Sequence, residues 1–257
     1  MSRVLVTGST DGIGRETARQ LLDAGHDVVA HARNEARAAD LRAALPGLAG
    51  IVTGDLASLA ETRALADAAG AAGPFDVVVH NAGIGGGAPV RVETVDGLER
   101  VFQVNTVAPY VLTALMPRPG RLVYLTSGLE AQGRVQLDDL QWTARPWDGM
   151  QAYSDSKLYD VVLAFAVARL WPDVLVTAVD PGWIKTKLGG PDAWDEVADG
   201  AATQVWLATS DDPAARVTGA YLKRFAELDA HPAASDVAVQ AGLLAALEDL
   251  TGVPLPD

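Results

Sequence analysis

Tyr153 and Lys157 stand four residues apart in a stretch whose apolar periodicity predicts a helix over 152–170. That spacing puts the phenol and the ammonium on one helical face, one turn apart. A free phenol, with a pKa of about 10, is a poor proton shuttle at neutral pH. A neighbouring ammonium favours the phenolate and makes the group usable as a general acid or base. A lone Tyr-x-x-x-Lys is common on helices by chance, so its weight depends on what stands around it.

A second chemical signal is the run Thr7-Gly8-Ser9-Thr10-Asp11-Gly12-Ile13-Gly14. It sits between a predicted strand over 3–7 and a predicted helix over 14–24. Glycines at 8, 12 and 14 permit a tight turn, close approach of backbone to a pyrophosphate, and close packing of helix on strand. The helix N-terminus then presents free amides and a positive dipole end to phosphates. A P-loop is excluded because no Gly-Lys-Ser/Thr follows. A nucleophile elbow leaves the third glycine unexplained.

These signals must be carried by an ordered frame. Strand-like runs over 3–7, 27–31, 50–53, 76–80, 120–126, 174–179 and 219–223 alternate with helix-like runs over 14–24, 35–45, 58–69, 95–116, 152–170 and 235–250. Ser58 is the cap residue of the third helix. Val77-Val78-Val79 reads as a strand covered on both faces. The order predicts an α/β fold of Rossmann type: a doubly wound parallel sheet of about seven strands with helices on both faces, a three-layer sandwich. No linker, low-complexity stretch or repeat divides the chain, which reads as one NAD(P)-binding domain over 1–257. In such sheets ligands bind beyond the carboxyl ends of the strands, where both signals fall.

Composition narrows the field. Of 257 residues, 49% are hydrophobic and 21% charged, a globular balance. There is no cysteine, and His26, His31, His80 and His231 lack ligand spacing, so no metal site is expected. A net charge of −13 argues against nucleic acid or an anionic membrane as partner. No apolar run approaches a membrane span and the first residues do not read as a signal peptide, so the expected location is cytoplasmic.

The glycine loop, Asp55-Leu56, Asn81-Ala82-Gly83 after the fourth strand, Asn105, Ser127, the Tyr153/Lys157 pair, and Pro181-Gly182 with Thr186 occur in an order that resembles the short-chain dehydrogenase/reductase family over the whole chain. The resemblance implies an oxidoreductase moving a hydride between a nicotinamide and a carbonyl or a primary or secondary alcohol. It implies a catalytic tetrad of Asn105, Ser127, Tyr153 and Lys157. Ser127 would hydrogen-bond the substrate oxygen and stabilise developing negative charge. Asn105 would hold a water, and Lys157 would bond the nicotinamide ribose. Asp55 and Leu56 would contact adenine, while Asn81, Ala82 and Gly83 would shape the cofactor floor. Pro181, Gly182, Ile184 and Thr186 would hold the carboxamide. Small-molecule substrates and pairing into homodimers or homotetramers, through the helices over 95–116 and 152–170, are also implied.

After the second strand the chain reads Ala30-His31-Ala32-Arg33-Asn34, with no carboxylate to bind ribose hydroxyls. Arg33 suits a 2′-phosphate, which favours NADP(H) over NAD(H), or else it merely solvates the strand end. The Ser127–Tyr153 gap is long. Its insertion, over 128–150, resembles that of the retinol dehydrogenase-like and protochlorophyllide reductase-like branch. Trp142 and Trp147 in it either wall an apolar ligand or pack on each other in a surface flap. The segment over 186–199 reads as a substrate lid. The competing reading is a non-catalytic NADP(H)-binding sensor or regulatory protein on the same fold.

Overall fold

Apolar residues on both faces of the strands are what a sheet covered twice requires, and the computed structural model, which describes residues 1–256, has that form. Its strands are β1 (Arg3–Val6), β2 (Asp27–Ala32), β3 (Gly50–Thr53), β4 (Val77–His80), β5 (Arg121–Leu125), β6 (Leu175–Val179), β7 (Ala220–Lys223) and β8 (Ala226–Leu228). They form one sheet in the order β3-β2-β1-β4-β5-β6-β7-β8. All neighbours are parallel except β7 and β8. The eighth strand exceeds the seven expected. It is three residues long and wholly exposed, so it carries no hydrophobic pattern.

Side-chain alternation splits each central strand between two cores. Leu5, Val78, Leu122 and Tyr124 point into one core with α3 (Leu59–Ala72), α5 (Ala108–Leu115), α6 (Gly149–Leu170) and α8 (Val237–Thr251). Val4, Val6, Val77, Val79 and Val123 point into the other, covered by α1 (Gly12–Asp23), α2 (Glu35–Ala44) and α7 (Val197–Thr209). The sequence reading has no counterpart for α7, which packs along α1. It also shortens the expected lid, since residues 197–199 are already helical. The insertion likewise gives up residues 149 and 150 to α6.

The long helix expected over 95–116 starts later. Residues before Glu99 form a turn, and α4 (Arg100–Phe102) runs through a π-turn (Gln103–Val107) into α5. Such one-turn π-bulges concentrate at functional sites; this one carries Asn105. Both helices expected to pair between subunits are covered within the chain. Tyr110, fully buried, donates its hydroxyl to Val253 O (2.6 Å), and Trp171 Nε1 donates to Pro256 O (2.8 Å). The C-terminal segment with α8 thereby closes over α5 and α6. No helix among the described residues is long and apolar enough to cross a membrane.

Candidate active site

The glycine loop links β1 to α1, and three features shape it. Gly8 and Gly12 hold φ of +66° and +49°, a region costly for side chains. A Cβ at Gly14 would overlap the Asn81 side chain and the Gly8 carbonyl. Asp11 caps α1 by accepting Gly12 N–H at 2.9 Å. The amides of Ile13 and Gly14 in the first helical turn have no acceptor among the described residues. Ser9 faces inward instead: its hydroxyl, fully buried, donates to Val6 O at 2.5 Å, so only its backbone borders the crevice. Ile13 packs partly into the α1 core.

Behind the loop stands His31, a residue the sequence reading passed over. Its Nδ1 accepts Gly8 N–H at 3.0 Å, and its Nε2 donates to Gly54 O at 2.9 Å. Burial holds its pKa below the ordinary imidazole value, which keeps the ring neutral. Arg33 is exposed beyond β2. Arg37, also unnoticed, donates from its guanidinium to Thr10 Oγ1 (3.2 Å) and lies 3.8 Å from Asp11 Oδ2. Its signal was positional, since it lies one helical turn beyond Arg33. Asp55 closes a turn by accepting Ala57 N–H at 3.0 Å, and Leu56 is buried against the core.

Asn81 ties β4 to the loop, donating Nδ2–H to Thr7 O at 2.9 Å; Thr7 Oγ1 accepts the amides of Asn81 and Ala82, each at 3.0 Å. Asn81 Oδ1 is buried without a partner among the described residues. Ala82 backbone lies so close to Gly8 that a Cβ there would come within 2.8 Å of it. Gly83 is the meeting point of two side chains. A Cβ on it would lie 3.4 Å from both Asn105 Oδ1 and Lys157 Nζ.

Asn105, 1% exposed, accepts Ile84 N–H (2.8 Å) and donates to Ile84 O (3.0 Å) and Ser156 Oγ (2.9 Å). The π-turn thus holds it against the 84 loop and α6. Lys157 Nζ lies 6.0 Å from the Tyr153 ring centre, as the i,i+4 spacing predicts. It donates to Leu125 O at 3.0 Å and to Asp160 Oδ2 at 2.8 Å. Tyr153 itself is half-buried, as is Ser127, whose Oγ accepts Leu129 N–H at 3.3 Å and caps a 3-10 turn. Asp160 went unnoticed, although its signal was local: a carboxylate three residues after the lysine.

A crevice of about 710 Å³ opens between the glycine loop and the segment after β6, with Asp11, Gly12, Arg15, Lys185, Thr186 and Lys187 on its walls. It takes in the phosphate end of the site and neither Tyr153 nor Ser127. Lys187 bridges it, 2.5 Å from Asp11 Oδ2, and this pairing holds the Asp11 carboxyl below its ordinary pKa. Gly182, at φ +98°, turns the chain after Pro181. Ile184 is buried and faces Gly200 of α7, leaving its backbone for any ligand. Thr186 Oγ1 accepts Gly189 N–H at 3.1 Å. Trp183 and Trp194 remain exposed and stack edge-on, centres 4.6 Å apart. Leu188 folds back onto Gly85, at the mouth of the site.

The insertion is docked onto the catalytic helix rather than draped beside it. Arg145 NH2 lies 3.0 Å from Asp155 Oδ2, Arg145 Nε lies 3.3 Å from Asp139 Oδ2, and the guanidinium sits 3.6 Å over the Trp142 ring. Trp147 packs edge-on against Trp142 at 5.8 Å and donates to Ala88 O at 3.0 Å. Of the two readings left open for these tryptophans, mutual packing is the observed one. Asp139 is a buried cap for Thr143 and Ala144.

Residues 2–196 match the family model described as short chain dehydrogenase. The chain is 42% identical over 260 residues to short-chain dehydrogenase chry4 of Gibberella zeae, covering 100% of this chain and 99% of that protein. It is 30% identical over 288 residues to human retinol dehydrogenase 13, covering 98% and 85%, in line with the branch its insertion resembles. Among solved structures, a protein from Mycobacterium paratuberculosis superposes with a TM-score of 0.86 at 28% identity, over 100% of this chain and 96% of that one. A blue fluorescent protein from a metagenomic library, solved in complex with NADPH, gives 0.70 at 27% identity over 86% and 95%.

Proposed function

The chain belongs to the short-chain dehydrogenase/reductase family of oxidoreductases, and from that premise we propose that it is an NADP(H)-dependent enzyme acting on a carbonyl or a primary or secondary alcohol, with Tyr153 as general acid/base. The observation that carries this reading is the convergence at Gly83: Lys157 Nζ and the Asn105 carbonyl oxygen approach the same point of the crevice floor, with the Tyr153 ring one turn away.

A dinucleotide fits these residues. The uncommitted amides of Ile13 and Gly14 and the positive end of α1 suit a pyrophosphate. The partnerless, buried Asn81 Oδ1 awaits a donor. Gly8, Ser9, Thr10, Asp11 and Gly12 bring backbone to that ligand, Asp55 and Leu56 border its adenine end, and Pro181, Gly182, Ile184 and Thr186 its nicotinamide end. NADP(H) is favoured by Arg33 at the end of β2, by Arg37 beside Thr10, and by the lack of a carboxylate over residues 30–34 at the strand end. The NADPH carried by the blue fluorescent protein agrees with this choice.

When bound, the cofactor supplies or accepts the hydride. Tyr153 passes the proton to or from the substrate oxygen. The Lys157 ammonium favours its phenolate and, through the proton facing Gly83, bonds the ribose. Ser127 donates to the substrate oxygen as charge develops. Asn105 keeps the 84 loop and α6 in register, and its Oδ1 receives the water that relays protons outward. Residues 186–196 form the lid and 128–148 dock beside the pocket.

The test is NADPH oxidation against a panel of aldehydes, ketones and quinones, with Tyr153→Phe alongside. Turnover in the wild type, lost in the variant while NADPH binding persists, supports the reading. Turnover that survives the substitution overturns it, and NADPH binding without turnover of any substrate favours the sensor.

A further inference from the structure

The ion pair behind the reacting groups has a role of its own. Lys157 and Asp160 are 4% and 3% exposed, and their ammonium and carboxylate lie 2.8 Å apart. A buried lysine without a counter-charge gives up its proton readily, because burial disfavours the charged form. A buried ion pair is also a costly way to hold a helix, since apolar residues of similar volume often do as well or better. Little offsets that cost here: the Thr106 hydroxyl, donating to Ser156 O at 3.3 Å, also lies close enough to Asp160 to favour its carboxylate, and Asp160 Oδ1 makes no hydrogen bond of good geometry among the described residues.

We propose that Asp160 is the counter-ion that keeps Lys157 an ammonium, a positioning residue that acts on the reaction through the lysine and never touches substrate. The inference rests on the Tyr153/Lys157 reading above. Two fixed acceptors, Asp160 Oδ2 and Leu125 O, take two of the three ammonium protons and leave the third for the crevice at Gly83. The direction of the lysine's pKa agrees: burial lowers it, yet Asp160 and Tyr153 together carry it above the ordinary value. The same burial pushes the Asp160 carboxyl up to about 6.

On the same helix stand Tyr153 and Asp155, the latter 1% exposed and paired with Arg145 of the insertion. From β5 comes Tyr124, raised by burial, and behind it His80 of β4, lowered to about 3 and joined to Tyr124 through Thr113. Lys157 Nζ, 6.0 Å from the Tyr153 ring centre, is thus the cation placed to act on that phenol.

The test uses the cofactor-free protein and is indifferent to turnover. Of the five tyrosines, Tyr110, Tyr124, Tyr159 and Tyr221 are all pushed up by burial. On raising pH, the phenolate absorbance step that belongs to Tyr153 is identified by its loss in Tyr153→Phe. In Asp160→Asn the lysine gives up its proton more readily, so this step moves up by about one pH unit or more, a tenfold change. Asp160→Glu returns it to the wild-type position. A step that stays put or moves down in Asp160→Asn overturns the proposal; a merely structural aspartate leaves it in place. If Asp160→Asn does not fold, nitrogen-labelled lysine NMR of the wild type decides: Lys157, assigned by Lys157→Arg, keeps its proton at least as long as the exposed lysines when pH is raised, and earlier loss overturns the idea. Failure of the reductase reading shows up separately, as turnover that survives Tyr153→Phe.

Discussion

His31 Nδ1 accepts the Gly8 amide at 3.0 Å while the opposite ring nitrogen donates to Gly54 O. A neutral ring of one tautomer therefore pins the phosphate loop to the ends of β2 and β3. In His31→Leu the Gly8 amide is left without its acceptor, a loss of about 1 kcal/mol, and NADPH affinity falls roughly fivefold. Acidification acts the same way, since a protonated ring cannot accept. Fluorescence titration of NADPH reads both effects, and unchanged affinity in the variant would remove His31 from the binding apparatus.

Arg33 and Arg37 separate by what each touches. Arg33 is free to reach a 2′-phosphate, so Arg33→Ala weakens NADPH by roughly ten- to a hundredfold, the worth of a charged hydrogen bond, and leaves NADH nearly unchanged. Arg37 also steadies Thr10 and faces Asp11, so Arg37→Ala weakens both cofactors. Equal losses for both cofactors in Arg33→Ala would show that it does not read the phosphate.

Arg145 is the rivet of the insertion. Arg145→Met removes the counter-charge from the carboxylates of Asp155, 1% exposed, and Asp139, 7% exposed, leaving them only neutral donors such as Arg134 N–H and Thr143 N–H, which costs about 3 kcal/mol of stability. Because Asp155 lies between Tyr153 and Lys157, kcat falls as well. Thermal unfolding and steady-state kinetics read the two effects, and a variant of wild-type stability would refute the docking argument.

His80 sets an acid limit. Its folded pKa is about 3 against an ordinary 6.5, the shift arising from burial. A depressed folded pKa gives stability that is whole above about pH 6.5 and is lost as pH falls towards 3, at about 1.4 kcal/mol per unit. His80→Asn removes this term, so its stability declines less steeply over that window. Denaturant midpoints measured from pH 7 to 4 decide it, parallel curves being the adverse result.

Motifs whose parts lie within one or two turns of chain were readable in advance. The Tyr153/Lys157 spacing, the glycines at 8, 12 and 14, and the unbroken apolar run Val77–Val79 are local signals, and the expected sheet and its crevice came with them. Residues 197–209 and 226–228 were missed for opposite reasons. The helix follows an irregular lid that obscures its start, and the strand is too short and exposed to show alternation. Trp142 and Trp147 could be given to a pocket or to each other with equal right, because both uses call for the same residue type.

By itself, then, the order of residues determined the layers of the fold and the register of the phenol and the ammonium on one helix, since both depend on neighbours along the chain. Tertiary structure alone decided which polar side chains count. Asp160 became a counter-ion, His31 a loop anchor and Arg145 a rivet only when burial removed water and left each one specific partner. The strength of such contacts is set by dielectric surroundings, which spacing does not record.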